Sequence, residues 1–202
     1  MRQRGVRAML AAEDSGMSVV EHKALSPSPA DLRVALLTAS DSRTSADDEG
    51  GRVLRELAVA AGFTVTGEAL LREEPAALRA HVAALAASGA VDAVLVTGGT
   101  GLGPRDRTPE ALGALFERRL DGFGELFRAL SFAEIGAAAM LSRADAGVVG
   151  GALVFLLPGS PAAVRLAMER LIVPELAHAV GQMRRASRRH VEAEGPHGHG
   201  RR

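Results

Sequence analysis

The chain has 202 residues, of which 47% are hydrophobic and 24% charged, and this suits one globular domain with a sizeable core. It contains no cysteine, which excludes disulfides, zinc–thiolate sites and thiol nucleophiles. Basic and acidic groups balance at 24 each, but residues 32–183 hold more acidic than basic side chains, which argues against nucleic acid as the main partner.

The N-terminal segment does not predict a membrane anchor or a secretory signal. No apolar run approaches the ~20 residues that span a bilayer. The only apolar stretch near the start, Ala8–Ala12, ends at Glu13 and is too short for a signal peptide. We therefore expect a soluble, cytoplasmic protein without a membrane partner.

The composition divides the chain into three segments. Residues 1–31 lack periodicity and end near the linker-like Ser26-Pro27-Ser28-Pro29, which predicts a disordered extension. Residues 32–183 carry the apolar patterns of one α/β domain. Residues 184–202 are rich in arginine and histidine, which predicts a disordered tail.

The elements of the central segment alternate between strand and helix. The sequence predicts strands, in chain order, at Arg33–Thr38, Phe63–Leu71, Val91–Thr97 and Ala152–Leu157, of which the first and the last should be buried. Helical spacing predicts helices whose inward faces carry, in turn, Val53 and Leu57, Leu78 and Val82, Leu112 and Leu115, Phe123 and Phe127, and Val164 and Met168. Pro174 should kink or divide the last of these, and residues 131–151 predict only short strands.

This alternation predicts a three-layer α/β fold with a mostly parallel sheet covered by helices on both faces. Ligands of such sheets bind outside the carboxyl ends of the strands. Polar loops should gather at that edge, namely residues 40–48, 98–108 and 158–160. Their convergence favours a binding site over three unrelated connections.

The loop after the third strand carries four glycines within Gly98–Gly103. Glycine permits positive φ and close approach to a ligand, and consecutive free amides form an anion-binding concavity. Asp106 follows, and Thr108 is suited to cap a helix with Pro109 at its first position. The stretch predicts a phosphate or nucleotide site with one carboxylate; a plain strand-to-helix connection is the alternative.

Several familiar chemistries are excluded by the residues present. The glycines of residues 99–103 have the spacing GxGxG and not GxGxxG, and a P-loop lysine is absent, since Lys23 is the only lysine. His81 and His178 lie on helix-like segments away from the polar loops, which disfavours a serine triad. An anion cradle with carboxylates for Mg²⁺ remains, and it suits phosphoryl or nucleotidyl transfer.

A family resemblance spans about residues 32–180 and rests on motifs in a fixed order. These are SDSR at 40–43, Asp48-x-Gly50, TGGTG at 97–101, PRDxTPEA at 104–111, GFGE at 122–125, LSRA at 141–144 and LPGSP at 157–161. Together they resemble the MogA/MoaB family of molybdenum-cofactor biosynthesis proteins. FRALSFAEIG at 127–136 is closer to the MoaB branch, whereas PRDRTPEA fits the adenylyltransferase pattern.

The resemblance implies a molybdopterin-binding α/β fold and a nucleotidyltransferase, molybdopterin adenylyltransferase. Its substrates would be ATP and molybdopterin, its products adenylylated molybdopterin and pyrophosphate, and it would require Mg²⁺. The attacking group would be the terminal phosphate of molybdopterin, which needs no protein base. The resemblance also implies a homo-oligomer, trimer or hexamer, and a molybdenum-insertion protein as a candidate partner.

Site residues follow from the resemblance position by position. Asp106 would be catalytic and hold Mg²⁺ or phosphate, although an acid near a helix start is also a dipole partner. Ligand-binding roles are implied for Ser40, Asp41, Asp48, Gly50, Gly98, Gly99, Thr100, Gly101, Arg105, Thr108, Ser131, Ser142, Arg143, Pro158, Gly159 and Ser160. The alternatives are loop hydrogen bonding and helix capping for Ser40, Asp41 and Asp48, a surface ion pair for Arg143 and a helix cap for the turn at residues 158–160.

One position departs from the adenylyltransferase pattern. Those enzymes carry a second aspartate after strand two, in a Pro-Asp context, where this chain has Arg72-Glu73. Glu73 keeps the charge as a second catalytic candidate but is one methylene longer. This substitution leaves a non-catalytic, molybdopterin-binding MoaB-type protein as the alternative function. A nucleotide-processing enzyme of the competence-damage type is a third reading, although the second domain of those proteins is missing.

Overall fold

The computed structural model describes residues 26–193, and the side chains of residues 26–185. The predictions for residues 1–25 and 194–202 lie outside this range. Within the described residues, no helix combines the length and the hydropathy needed to cross a bilayer.

One six-stranded sheet forms the centre of the molecule. Its strands are β1 Arg33–Ala39, β2 Thr64–Leu71, β3 Ala93–Thr97, β4 Arg118–Arg119, β5 Asp145–Val149 and β6 Ala152–Leu157. They are ordered β2-β1-β3-β6-β5-β4. β2, β1, β3 and β6 are mutually parallel, whereas β5 and β4 are antiparallel additions. The prediction of a mostly parallel sheet is confirmed.

The helices are α1 Glu49–Ala60, α2 Pro75–Ala87, α3 Thr108–Gly113, α4 Asp121–Ile135, α5 Pro161–Ala167 and α6 Val173–Ala193. Short 3-10 turns cover Pro29–Asp31 and Gly136–Leu141. Two predicted caps have different outcomes. Ser160 caps α5 by accepting the N–H of Ala163. Thr108 does not cap α3, because the helix begins at Thr108 itself and Arg107 takes the cap position.

Helices cover both faces of the sheet, so the predicted three-layer architecture is confirmed. Alternate residues of β1 enter two separate cores: Val34 and Leu36 pack on one face, Ala35 and Leu37 on the other. α1, α4, α5 and α6 cover the first face, and α2 and α3 cover the second. Both faces of β1, β3 and β6 are therefore buried, which explains their continuous apolar runs, whereas the edge strand β2 has no buried residue.

Pro174 divides the last helix, as predicted. A π-helical turn, Met168–Ile172, separates α5 from α6, and the N–H of Val173 bonds to the carbonyl of Met168, five residues earlier. Proline has no N–H, and the wider turn accommodates this interruption of the ladder. α6 then continues to Ala193, so residues 184–193, which the sequence predicts to be disordered, are helical.

Candidate active site at the carboxyl edge of the sheet

A cavity of about 440 Å³ opens where β1, β3 and β6 end. Because these strands are parallel, the loops that follow them meet at one edge. The predicted site residues that line the cavity are Ser40, Glu73, Gly98, Gly99, Thr100, Gly101, Asp106, Ser142, Pro158, Gly159 and Ser160. The structure thus brings together side chains and backbone from five separate parts of the sequence.

Glycine is required at the start of the loop after β3. Gly98 has φ 102° and Gly99 has φ 63°, in the left-handed region that other residues rarely adopt. A Cβ at Gly98 would collide with the carbonyl oxygen of Ala39. The amides of Gly99, Thr100 and Gly101 form no hydrogen bond with any described residue. Free amides in a glycine-rich turn are suited to bind phosphate oxygens.

Asp106 stabilises the same loop from its far end. Its Oδ2 accepts the N–H of Gly103 at 2.8 Å, and its own N–H donates to the carbonyl of Gly103 at 3.0 Å. A Cβ on Gly101 would lie 2.8 Å from Oδ2 of Asp106. Close packing of the loop therefore keeps the carboxylate directly beside the free amides.

Glu73 reaches the cavity from the turn between β2 and α2. Its Oε2 atom is buried and has no hydrogen-bond partner, and the same holds for Oγ1 of the buried Thr108. A Cβ at Gly99 would lie 2.9 Å from this Oε2 and closer still to Oγ1. Burial, together with the charges of Asp106 and Asp41, raises the pKa of the Glu73 carboxyl.

These carboxylates fit a divalent cation. Within residues 26–193, no group of three or more His, Asp or Glu side chains is arranged to hold a metal. Mg²⁺, however, commonly takes only one or two carboxylates and completes its shell with water and phosphate oxygens. Glu73 has an unpartnered buried oxygen, and Asp106 repels its charge, which a cation would relieve. Asp106 and Glu73 are therefore the residues that would hold Mg²⁺.

Arg143 binds the glycine-rich loop and does not line the cavity. Its Nε donates to the carbonyl of Gly101 at 2.9 Å, and its Nη2 donates to the carbonyl of Asp106. Its remaining nitrogen pairs with Glu110. The guanidinium is thus occupied by protein acceptors, so the ion pair that the sequence left open as an alternative is present.

Two further predicted ligands, Asp41 and Arg105, lie outside the cavity lining and pair with each other. Arg105 Nε donates to Asp41 Oδ2 at 2.7 Å. The hydrogen bond from Arg105 is the main reason that the pKa of the Asp41 carboxyl is lowered.

Asp48 and Gly50 do not line the cavity but contact residues that do. Asp48 caps α1 by accepting the N–H of Gly51 at 3.0 Å, as the alternative reading proposed, and it pairs with Arg43. A Cβ on Gly50 would lie 2.6 Å from the carbonyl oxygen of Gly159. The start of α1 therefore packs closely on the loop after β6. Ser131 lies on the buried face of α4, outside the lining.

No role was predicted from the sequence for Ser42, Arg43 and Leu141, although all three line the cavity. Arg43 Nη2 donates to the carbonyl of Gly159 at 3.0 Å, which joins the loops after β1 and β6. Arg43 belongs to the SDSR motif, so the family resemblance marked this residue but did not indicate what it does. Leu141 is 51% exposed and begins the LSRA motif, so it too was marked in the sequence without a predicted role.

The chain is similar in sequence and fold to known proteins of one family. Residues 35–178 match the family described as a probable molybdopterin-binding domain. The chain is 45% identical over 170 residues to molybdenum cofactor biosynthesis protein B of Bacillus anthracis, which covers 84% of this chain and 99% of the relative. A crystal structure of a molybdenum cofactor biosynthesis protein B superposes with a TM-score of 0.74 at 44% identity, over 79% of this chain and 99% of that one.

The Mog branch is more distant among these relatives. The molybdopterin biosynthesis Mog protein from Mycobacterium ulcerans has a TM-score of 0.68 at 27% identity, over 75% of this chain and 99% of that one. This difference agrees with the MoaB-like sequence of residues 127–136. The chain belongs to the MogA/MoaB family of molybdenum-cofactor biosynthesis proteins and is of the MoaB type.

Proposed function

We propose that this protein adenylylates molybdopterin with ATP in a Mg²⁺-dependent reaction. The proposal rests on one observation: the free amides of Gly99–Gly101 lie beside two carboxylates, Asp106 and Glu73, in one cavity. An amide cradle binds phosphate oxygens, and a carboxylate pair could hold a divalent metal, which would neutralise phosphate charge. Transfer of a nucleotidyl group depends mainly on such positioning and charge stabilisation.

The reaction needs no proton acceptor from the protein. An oxygen of the terminal phosphate of molybdopterin forms a bond to the α-phosphorus of ATP, and the bond from that phosphorus to the β-phosphate oxygen breaks, which releases pyrophosphate. The glycine amides would hold one phosphate, and Asp106 and Glu73 would hold the metal. Mg²⁺, when bound, neutralises charge on the phosphate oxygens.

The direct test incubates the purified protein with ATP, Mg²⁺ and molybdopterin. We expect adenylylated molybdopterin and pyrophosphate in equal amounts, and no product when EDTA removes the metal. Absence of product from fully folded protein that still binds molybdopterin would reject the adenylylation.

Replacing Asp106 with Asn tests the carboxylate that lies closest to the glycine loop. The Asn side chain can still accept the N–H of Gly103, so the fold should be preserved. Loss of the charge should lower turnover by about 10²-fold or more. Circular dichroism and thermal unfolding check the fold, and wild-type turnover in this variant would remove Asp106 from the mechanism.

A non-catalytic, molybdopterin-binding protein is the second candidate, and a specific observation favours it. Burial raises the pKa of the Glu73 carboxyl, which opposes the charged form that a metal ligand needs. In that case the protein would bind molybdopterin with the same affinity in Mg²⁺ and in EDTA. Metal-dependent binding would count against this second function.

We also propose that the chain forms a homo-oligomer through α4 and the turn that follows. Leu126, Phe132, Ile135, Met140 and Leu141 on these two elements are each more than half exposed. A subunit contact would bury large apolar side chains of this kind. Sedimentation at several concentrations should give a trimer or hexamer, and Phe132→Ser should weaken it. A monomer would leave a heterologous partner, such as a molybdenum-insertion protein, as the occupant.

A further inference from the structure

The loops after β1, β2 and β3 are joined by a charged cluster that does not line the cavity. We call Asp41, Arg105 and Glu74 the loop clasp. Arg105 donates from Nε to Asp41 at 2.7 Å and from Nη2 to Glu74 at 2.9 Å. Each residue comes from a different loop: after β1, after β3 and after β2. None of the three lines the cavity.

The loop clasp also contacts the backbone of Glu73. Asp41 Oδ1 accepts the N–H of Glu73 at 3.1 Å, while its Oδ2 is engaged by Arg105. The next residue, Glu74, is held by the same Arg105. The turn that carries Glu73 is therefore fixed at two successive residues, once through the backbone and once through a side chain.

Hydrogen bonds of the Glu73 side chain do not explain why its carboxylate is buried. Its Oε2 is buried without a hydrogen-bond partner, and burying such an oxygen is unfavourable in the absence of a ligand. Left unconstrained, the turn would gain free energy by moving this carboxylate into solvent. Contacts elsewhere must hold the turn, and those of the loop clasp are the nearest to it.

We propose that Asp41 and Arg105 are positioning residues, which hold the carboxylate of Glu73 in the cavity through the Arg72–Glu74 turn. They act through Glu73 and do not touch the substrate. The inference deepens the proposed adenylylation, on which it rests for the role of Glu73, and it reassigns two residues that the sequence placed among the ligands.

The first test is hydrogen–deuterium exchange and needs no turnover. Asp41→Ala removes the acceptor of the Glu73 amide and the partner of Arg105, so exchange of the peptide containing Glu73 should accelerate about tenfold or more. Asp47→Ala is the matched control, because this acid lies on the same loop and, within the described residues, its carboxylate bonds to Thr44 and not to the turn that carries Glu73. Equal exchange in wild type and Asp41→Ala would overturn the proposal.

Arg105→Gln provides a second variant that leaves the Asp41–Glu73 hydrogen bond in place. It should accelerate exchange in the same peptide, but less than Asp41→Ala does. Both substituted side chains are at least partly exposed, so the variants should remain folded. No acceleration in Arg105→Gln would remove Arg105 from the positioning role.

The second test is a double-mutant cycle in the adenylylation assay. Asp41→Ala should lower kcat about tenfold and change KM for molybdopterin less than about twofold, because it acts on position and not on ground-state binding. In a Glu73→Gln background the same substitution should lower kcat less than about twofold. Equal losses in both backgrounds would show that Asp41 does not act through Glu73.

The two tests separate failure of this proposal from failure of the proposed function. If the wild-type protein makes no adenylylated product, adenylylation is rejected while the exchange experiment still decides the loop clasp. If product forms but Asp41→Ala leaves exchange and kcat unchanged, the loop clasp is rejected and adenylylation stands.

Discussion

At the scale of single residues, the cavity depends on a backbone conformation that excludes side chains. Gly98 has φ 102°, and a Cβ added there would clash with the carbonyl oxygen of Ala39. Gly98→Ala should lower the free energy of unfolding by about 2 kcal/mol or more, from left-handed strain and a clash with backbone. Urea unfolding measures the decrease in the free energy of unfolding. The same variant should also lose the binding of phosphate or pyrophosphate.

Two other glycines separate the effect of left-handed strain from the effect of the clash with Ala39. Gly89 has φ 63° and open space around its Cα, so Gly89→Ala carries only the strain of about 1–2 kcal/mol. Gly67 has open space and no positive φ, so Gly67→Ala should be neutral within about 0.5 kcal/mol. Equal losses at Gly98 and Gly89 would argue that the contact with Ala39 contributes nothing.

Glu73 should lower the stability of the ligand-free protein at neutral pH. Its folded-state pKa is raised, so the penalty is absent below the unfolded value of about 4.3 and grows as pH rises through the folded value. Glu73→Gln should therefore stabilise the protein at pH 7 by about 1 kcal/mol, or roughly 2–4 °C in Tm. Thermal unfolding in EDTA from pH 4 to 8 measures the effect.

An exposed acid provides the control for Glu73→Gln. Glu56 forms an exposed ion pair with Arg52 within α1, so Glu56→Gln should change stability by no more than about 0.5 kcal/mol at any of these pH values. A Glu73→Gln variant that is less stable than wild type at pH 7 would contradict the burial penalty.

At the scale of elements, Arg143 joins the start of β5 to the glycine-rich loop before α3 through two backbone carbonyls and Glu110. Hydrogen bonds from a charged donor contribute about 1.5–3 kcal/mol in total when partly buried. Arg143→Ala should therefore loosen the loop and speed its cleavage by an added protease severalfold. Limited proteolysis with mass spectrometry locates the cut.

Arg165→Ala is the control for Arg143, because Arg165 makes only an exposed pair with Glu169 within one helical segment. Its proteolysis pattern should match the wild type. Cleavage of the 101–107 segment at the wild-type rate in Arg143→Ala would show that the loop does not depend on these contacts.

At the scale of the whole molecule, Asp92 connects the sheet to the C-terminal helix. Its carboxylate, 8% exposed, pairs with Arg33 at the start of β1 and with Arg184 in α6. Burial alone would raise the pKa of Asp92, but the hydrogen bonds from Arg33 and Arg184 outweigh it and lower the pKa. Asp92→Asn should cost about 2 kcal/mol at pH 7.

The pH dependence of this loss follows from the sign of the shift. A carboxyl with a lowered folded-state pKa stabilises the protein above its unfolded value of about 3.9, and this contribution disappears as pH falls through the folded value. Unfolding of wild type and Asp92→Asn should therefore differ equally at pH 7 and 5 and converge below about pH 4. A constant difference down to pH 3 would contradict the ion pairs.

The exposed pair between Arg55 and Glu68 provides the control for Asp92. Glu68 is 46% exposed, so Glu68→Gln should alter stability by less than about 0.5 kcal/mol and show little pH dependence.

Much of the fold was predictable because its signals are local. The runs of β1, β3 and β6 are apolar on both faces. A proline inside a helical pattern interrupts the hydrogen-bond ladder, which made the break at Pro174 predictable. β4 was not predictable, because Arg118 and Arg119 have no strand pattern and pair only through the register of β5. The extent of α6 was not predicted either; the helix continues through Arg184, whose side chain pairs with the distant Asp92.

For the site, the sequence by itself determined which residue types gather at the carboxyl edge: the glycines of residues 98–101, Asp106 and the turn at 158–160. Only the tertiary structure decided what each charged group does. Asp41 and Arg105 are 64 residues apart, and Arg143 reaches Gly101 across 42. Pairing and burial depend on distances in three dimensions, so no local pattern separates a residue that faces the ligand from one that holds its neighbour in place.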